Sequence, residues 1–208
     1  MPPRPLRTAL AALLLAGATA AAARPVGPLP ALGPFLDPWR GVWAAARAEE
    51  PPREQTLAIP GLAGEVRVVV DDRRVAHVFA TTEEDAYRAL GWLVARDRLV
   101  QLHVQTLAAS GRLTELAGAR ALPLDREMRG LGLTRAAEAR LRALGDTSAS
   151  ARVLGAYADG VNAWIVRVDE SALPVEFKLL GVRPERWEPI NSVHMLNRMG
   201  YTLASQAP

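Results

Sequence analysis

The clearest alternation of apolar and polar positions lies between residues 65 and 79. Val66, Val68 and Val70 fall on one side of a period-two pattern, with Arg67 and Val69 on the other. Asp71-Asp72-Arg73-Arg74 is polar and turn-like, and Val75, His77 and Phe79 then alternate with Ala76 and Val78. Period two is the spacing of a half-buried strand, so this stretch predicts a β-hairpin. Residues 53–63 read as linker or edge strand. From Thr81 the period becomes helical. Thr81 and Glu84 form a capping box, and Glu84 and Arg88 stand one turn apart as an ion pair. Ala86, Leu90, Leu93 and Val94 make an apolar stripe that runs on to Asp97 and Gln101, two polar groups where a core residue is expected. Gly111 interrupts before Leu113–Leu116. A short helix is expected from Thr134 to Leu144, ended by Gly145. Ser148 to Val168 carries the cleanest stripe: Leu154, Tyr157, Val161, Trp164, Ile165 and Val168. Pro174, Pro184 and Pro189 punctuate the next stretch into turns. Asn191 can cap a last helix with Val193, Leu196, Gly200 and Leu203 on one face.

The chain ahead of the hairpin is patterned differently. Arg4 and Arg7 precede an apolar run from Thr8 to Ala18, centred on Leu13, Leu14 and Leu15. Ala18-Thr19-Ala20 and Ala21-Ala22-Ala23 both fit a small-residue cleavage site, and Arg24-Pro25 stops the helix. That order is a secretory signal, and the apolar run is short for a bilayer core about 30 Å thick. The expectation is a signal peptide over residues 1–23 and an exported mature chain with no membrane span after cleavage; an uncleaved anchor is the alternative. Residues 24–63 form a Pro-rich lead-in, extended over 24–36. It contains a short helix that Asp37 caps and Pro38 opens, running to about Glu50 with Trp39, Val42, Trp43 and Ala46 on one face. Pro51-Pro52 ends it. Residues 64–208 form the remaining region.

Composition narrows the chemistry. The 208 residues contain no cysteine, which removes thiol catalysis, disulfides, iron–sulfur clusters and Cys-ligated zinc. Lys178 is the only lysine, and the net charge of +3 comes from arginines that acids nearly balance. No block of basic residues suits a phosphate backbone, so nucleic acid is not an expected partner.

Familiar catalytic motifs are absent: there is no nucleophile elbow, P-loop, dinucleotide fingerprint or H-E-x-x-H. His77, His103 and His194 are scattered. His77 reads as a hydrogen-bonded structural histidine, and Asp71 and Asp72 as solvated turn residues rather than a cation site. Glu83-Glu84-Asp85 complements a helix N-terminus. Asp97, between Arg96 and Arg98, reads as one half of a structural ion pair. From the residues alone this is an exported, mainly helical domain with no recognisable active site.

Several segments taken together are similar to the α-chain of the penicillin acylase (penicillin amidase) family. They are Asp71-Asp72-Arg73-Arg74-Val75-Ala76-His77-Val78 and Gly91-Trp92-Leu93-Val94-Ala95-Arg96-Asp97-Arg98-Leu99-Val100-Gln101-Leu102. Next come Gly111, Leu113, Glu115, Leu116 and Gly118, then Leu124-Asp125 with Arg129, and the run Tyr157–Trp164. Leu173-Pro174 with Glu176-Phe177, and Pro184-Glu185 with Trp187 and Pro189, complete seven pieces in order between about residues 60 and 190. Arg74 stands where the family has Gly, Ala76 where it has Pro, and Arg96 where it has Gln. Arginine at a turn position suited to φ > 0 carries a steric cost.

The resemblance implies an α+β fold: a mainly helical α-chain portion with a β-hairpin, part of an αββα N-terminal-nucleophile hydrolase sandwich. It implies a precursor, or zymogen, whose β-chain begins with a nucleophilic Ser, so no catalytic residue is expected in this chain. The implied partner is the β-chain of the same precursor. The implied substrate is a small-molecule linear amide: the side chain of a penicillin or cephalosporin, as in antibiotic metabolism, or an N-acyl-homoserine lactone. Met195, Arg198, Met199 and Tyr201 are the counterparts of the α-chain residues that line the acyl pocket. The family's structural calcium takes an α-chain Glu a few residues further on. No acid follows Glu188, so that ligand is not expected among these residues. The implied location is the periplasm or the exterior. A non-catalytic helical binding module, or a decayed gene fragment of the same fold, is the competing reading.

Overall fold

The computed structural model describes residues 4–25, 30–47 and 52–205. In chain order the elements are α1 (Arg4–Ala22), α2 (Gly33–Leu36), α3 (Val42–Ala46), β1 (Glu54–Leu57), β2 (Val66–Val70), β3 (Ala76–Phe79) and α4 (Glu83–Ala109). They continue with α5 (Thr114–Ala117), a 3₁₀ turn (Gly118–Ala121), α6 (Leu122–Gly130), α7 (Leu133–Leu144), α8 (Ala149–Arg167), α9 (Val175–Leu180) and α10 (Pro189–Ser205). The chain divides into two compact units, Met1–Glu49 with Val168–Arg183 and Glu50–Arg167 with Pro184–Pro208.

In the first unit, α2 occupies part of the lead-in read as extended. The helix expected from Asp37 is shortened to α3. Asp37 Oδ1 does accept the Trp39 and Arg40 N–H groups at 2.8 Å each, but it closes a turn at residues 38–40 before the helix begins. Trp39 and Trp43 are exposed. The expected end of that helix, at Glu50 and Pro51, lies outside the described residues. Pro174 does not simply break the chain: it stands at the N-cap of α9, where its fixed φ suits helix entry. Lys178 is buried in this unit, and its Nζ donates to the Ser171 carbonyl at 2.8 Å.

The second unit holds a three-stranded antiparallel sheet in the order β1-β2-β3, so residues 54–57 form the edge strand. Val68 pairs with Gln55 on one side and Val78 on the other. The alternation works as expected: Val66 and Val68 are fully buried and meet Leu57, Ile59, Ala89, Trp92 and Leu93 in the core. His77 projects away from that core, exposed, with Nε2 3.2 Å from Asp71 Oδ2. Asp71 also accepts the Arg73 and Val75 N–H groups, each at 2.9 Å. Arg74 takes φ +65°, the one positive φ at a non-glycine among the described residues, so the arginine does occupy the strained turn position.

The start of α4 differs from expectation by one residue. Thr82, not Thr81, is the N-cap, and its Oγ1 accepts the Asp85 N–H. Asp85, fully buried, turns outward from the helix to accept the Ala63 and Gly64 N–H groups at 3.0 and 3.2 Å. Arg88 follows it, pairing with Asp85 and with Asp159, while Glu84 pairs with Arg152. The Glu84–Arg88 pair is therefore replaced, because a buried carboxylate holds the guanidinium more strongly than an exposed one. The buried stripe runs through Asp85, Ala89, Trp92, Leu93 and Leu99, whereas Leu90 is exposed. At Arg98 the backbone leaves helical geometry (φ −139°, ψ 25°) and the helix kinks. Asp97 and Gln101 are exposed, so neither intrudes on the core. Asp97 bonds Arg96 through two contacts, 2.6 and 3.0 Å, as the ion pair expected.

Helix α8 packs along α4 at backbone distance. A Cβ on Gly91 would stand 2.2 Å from the Tyr157 carbonyl oxygen, and one on Gly160 would stand 1.9 Å from that of Arg88. Only glycine on both helices permits this approach. Trp92 and Trp164 close the seam edge to face, with centroids 5.0 Å apart. The most deeply buried positions of α8 are therefore small or polar (Ala156, Ala158, Gly160 and Asn162, with Val161), not the large apolar residues of the stripe.

Candidate functional site

Helix α10 begins two residues earlier than expected, at Pro189, and Asn191 lies in its first turn rather than at its cap. Val193 and His194 are buried and fix which face looks inward. Asn197 fastens the helix to α7: its Nδ2 donates to the Leu133 carbonyl at 3.2 Å and its Oδ1 accepts from Arg140 at 3.4 Å. With that face committed, positions 195, 198, 199 and 202, spaced by helical periodicity, face the last turns of α4.

Between them lies an open groove of about 390 Å³ lined by Gln101, Gln105, Met195, Arg198, Met199 and Leu203, with Ala109 and Thr202. Three of the four expected site residues, Met195, Arg198 and Met199, share it. Tyr201 does not line it, because a residue six positions after Met195 points elsewhere around the helix. Arg198 Nη1 donates to Gln105 Oε1 at 2.7 Å, which holds the guanidinium against α4. Met199 and Leu203 are 60% and 66% exposed, so the groove's outer wall is apolar and open. Methionine supplies an unbranched, polarizable wall that adapts to apolar shapes. Gln101 and Gln105 went unassigned in the sequence. The usable signal was the polar break in the α4 stripe at Gln101, repeated one turn later.

Two clasps set this end of the unit. Asp125 accepts the Leu113 and Thr114 N–H groups at 2.8 and 2.7 Å and the Thr114 hydroxyl. Burial raises its proton affinity, but those donors and Arg129 outweigh this and hold the carboxyl below the usual range. Arg129 Nε donates to the Gly111 carbonyl at 2.8 Å. The spacing Asp125-x-x-x-Arg129 thus puts both groups on one face of α6, where they grip the turn that ends α4. The second clasp is reciprocal: Asn162 Nδ2 donates to the Trp187 carbonyl at 2.9 Å, and the Trp187 N–H donates to Asn162 Oδ1 at 2.8 Å. It ties the segment before α10 to α8. Among the described residues, no group of three acids or histidines could hold a metal ion. Burial lowers the proton affinity of His103 and His194, leaving both neutral near pH 7.

The arrangement is an open, partly apolar groove, set on a scaffold fixed by buried backbone clasps. The family model for penicillin amidase matches residues 65–208. Penicillin acylase 2 proenzyme from Pseudomonas sp. (strain SE83) is 40% identical over 161 residues, 77% of this chain and 20% of the relative. Acyl-homoserine lactone acylase QuiP from Pseudomonas aeruginosa is 36% identical over 157 residues, 74% of this chain and 18% of the relative. A thermostable penicillin G acylase from Alcaligenes faecalis superposes with a TM-score of 0.61 at 25% identity, over 69% of this chain and 76% of that one. The chain spans about a fifth of the length of the curated relatives it matches. With the family's pattern running through the sheet, both clasps and the groove helices, this chain belongs to the penicillin amidase family.

Proposed function

We propose that this chain is the α-chain portion of an exported amidohydrolase that cleaves linear amides, with the α4–α10 groove as the acyl-side wall of its substrate pocket. The observation that carries the reading is the groove itself: two methionines and a leucine on α10 facing α4, beside an arginine steered by Gln105. An apolar wall with one fixed polar group suits an acyl chain ending in a polar carbonyl. The nucleophile is assigned to a β-chain of the same precursor, where an N-terminal Ser attacks the amide carbonyl and its own α-amine acts as base. This chain's residues bind and orient the acyl group and keep water from it. Relatives named for penicillins and for acyl-homoserine lactones support an amide substrate with an apolar acyl group. A structural calcium ion belongs to the proposal for the full precursor, with ligands outside the described residues.

Residues 1–23 are proposed as a cleaved export signal and the mature protein as periplasmic or secreted. No helix among the described residues is long and apolar enough to cross a membrane. The test is to produce the full-length protein and follow amine release from acyl amides of graded chain length. Hydrolysis whose chain-length preference changes in Met195→Ala and Met199→Ala is the expected result. A mature protein that hydrolyses none of them, or one whose preference ignores both methionines, overturns the reading. Sequencing the mature N-terminus checks export: it should begin after Ala20 or Ala23.

A further inference from the structure

A second cavity, of about 440 Å³, opens at the N-terminal end of α10, away from the methionine wall. Three arginines line it (Arg112, Arg129 and Arg135), and no carboxylate does among the described residues. Thr106, Thr134 and His194 line it too. Each has a buried polar atom (Thr106 Oγ1, Thr134 Oγ1 and His194 Nδ1) with no hydrogen-bond partner among the described residues. Thr106 and His194 are each only 7% exposed. Leaving such groups unpaired in a protein interior is costly, and three around one cavity mark a place built for a polar occupant.

Two helix N-termini reach the same space. Gly132, in left-handed conformation with no side-chain cap, opens α7 there, and Ile190 and Asn191 bring the first turn of α10. The uncapped N–H groups of α7 and the positive ends of the two helices favour negative charge, although the Asn191 N–H of α10 already donates to the Glu188 carbonyl. Arg112 contributes mainly rigidity, because its guanidinium already makes four hydrogen bonds to Glu115 and Glu185. Arg129 lines the cavity and uses its Nε on Gly111, so its two η nitrogens are not engaged by that bond. His194, neutral through burial, can present an N–H at Nδ1 in one tautomer.

We propose that this cavity binds a small oxyanion of the phosphate, sulfate or carboxylate type, held by Arg135, Arg129, the two threonine hydroxyls, His194 and the α7 N-terminus. It is a site separate from the acyl groove and does not depend on the acylase reading. The competing occupant is water alone, which would satisfy the same hydroxyls without any need for arginines or uncapped helix ends.

The test uses the full-length protein in chloride buffer at constant ionic strength, titrated with inorganic phosphate by calorimetry and by thermal melting. Saturable binding with a rise in Tm is expected. Arg135→Gln should weaken phosphate about tenfold or more, the ordinary loss for one charge-assisted hydrogen bond. Thr106→Val keeps the shape of the site and should weaken it severalfold, so it decides the matter if Arg135→Gln fails to fold. Arg167→Gln, at an exposed position remote in sequence from the cavity, should leave binding unchanged. No saturable binding up to about 20 mM phosphate, well above a millimolar Kd, or equal affinity in Thr106→Val and the unaltered protein, overturns the proposal and leaves a water-filled cavity.

Discussion

Helix α4 is packed in two different ways along its length. Its first half meets α8 through Gly91 and Gly160, backbone against backbone, with Trp92 and Trp164 sealing the edge. Its second half, beyond the kink at Arg98, faces α10 across the methionine groove and the arginine-lined cavity. One seam has no room for a methyl group, and the other holds two spaces of several hundred Å³. Close packing needs small residues and builds rigidity. Open packing leaves long side chains, buried hydroxyls and a histidine around space that something else can occupy. The first half positions the second.

If that contrast is right, substitutions should cost stability in the first seam and specificity in the second. The largest effect is expected from Gly160→Val, whose Cβ would stand 1.9 Å from the Arg88 carbonyl oxygen. A loss of about 3 kcal/mol or more is expected, read as a collapse in soluble yield or Tm. A variant that melts like the unaltered protein would break the comparison.

Asp125→Asn comes next. It removes a buried charge that holds two N–H groups and a hydroxyl, and about 2–3 kcal/mol should be lost in urea denaturation. The same residue gives a pH test. The Asp85 and Asp125 carboxyls are both held below the ordinary value of 3.8 in the folded chain, against the burial that pushes them up. Their contribution is therefore complete above that value and is lost as pH falls through their folded values. Stability should drop steeply below about pH 4, and less steeply in Asp125→Asn; parallel slopes would show that the clasp does not carry the charge term.

Asn162→Ala leaves the Trp187 backbone N–H and carbonyl unpaired. About 2 kcal/mol should be lost, with the lesion appearing as earlier hydrogen exchange at the start of α10. In the open seam Met199→Ala should cost under about 1 kcal/mol, since the side chain is mostly exposed, yet shift chain-length preference roughly tenfold in kcat/KM. Outside both seams, Arg74→Gly should raise stability by about 0.5–1 kcal/mol, because glycine adopts φ +65° without strain. No change in Tm there would mean the arginine's other contacts offset its backbone cost.

The hairpin, α7 and α8 were legible because each is a local pattern: period two around a polar turn, a helix closed by Gly145, or a long helical stripe. The edge strand was half legible, since Glu54–Leu57 alternates too briefly to declare itself without Val66–Val70 beside it. The start of α4 was off by one residue because two threonines compete for the cap, and the choice rests on Asp85 reaching Ala63 and Gly64. That contact spans 22 residues and leaves no trace in local spacing. Helix α9 was missed because a proline read as a stop also serves as a helix entry. For the groove, Met195, Arg198 and Met199 came from the family resemblance, while Gln101 and Gln105 needed the structure to set α4 against α10.

The sequence by itself determined the family, the hairpin, the main helices α4, α7, α8 and α10, and the lack of cysteine in these residues, since these depend on residue types and short-range periodicity. Tertiary structure alone decided which carboxylates are buried, which glycines touch and which polar groups surround a cavity. Those depend on pairs of residues distant along the chain, such as Gly91 with Tyr157 and Thr106 with His194. Spacing within one helix says which face a residue shares; only packing says what that face meets, and the chemistry comes from the meeting.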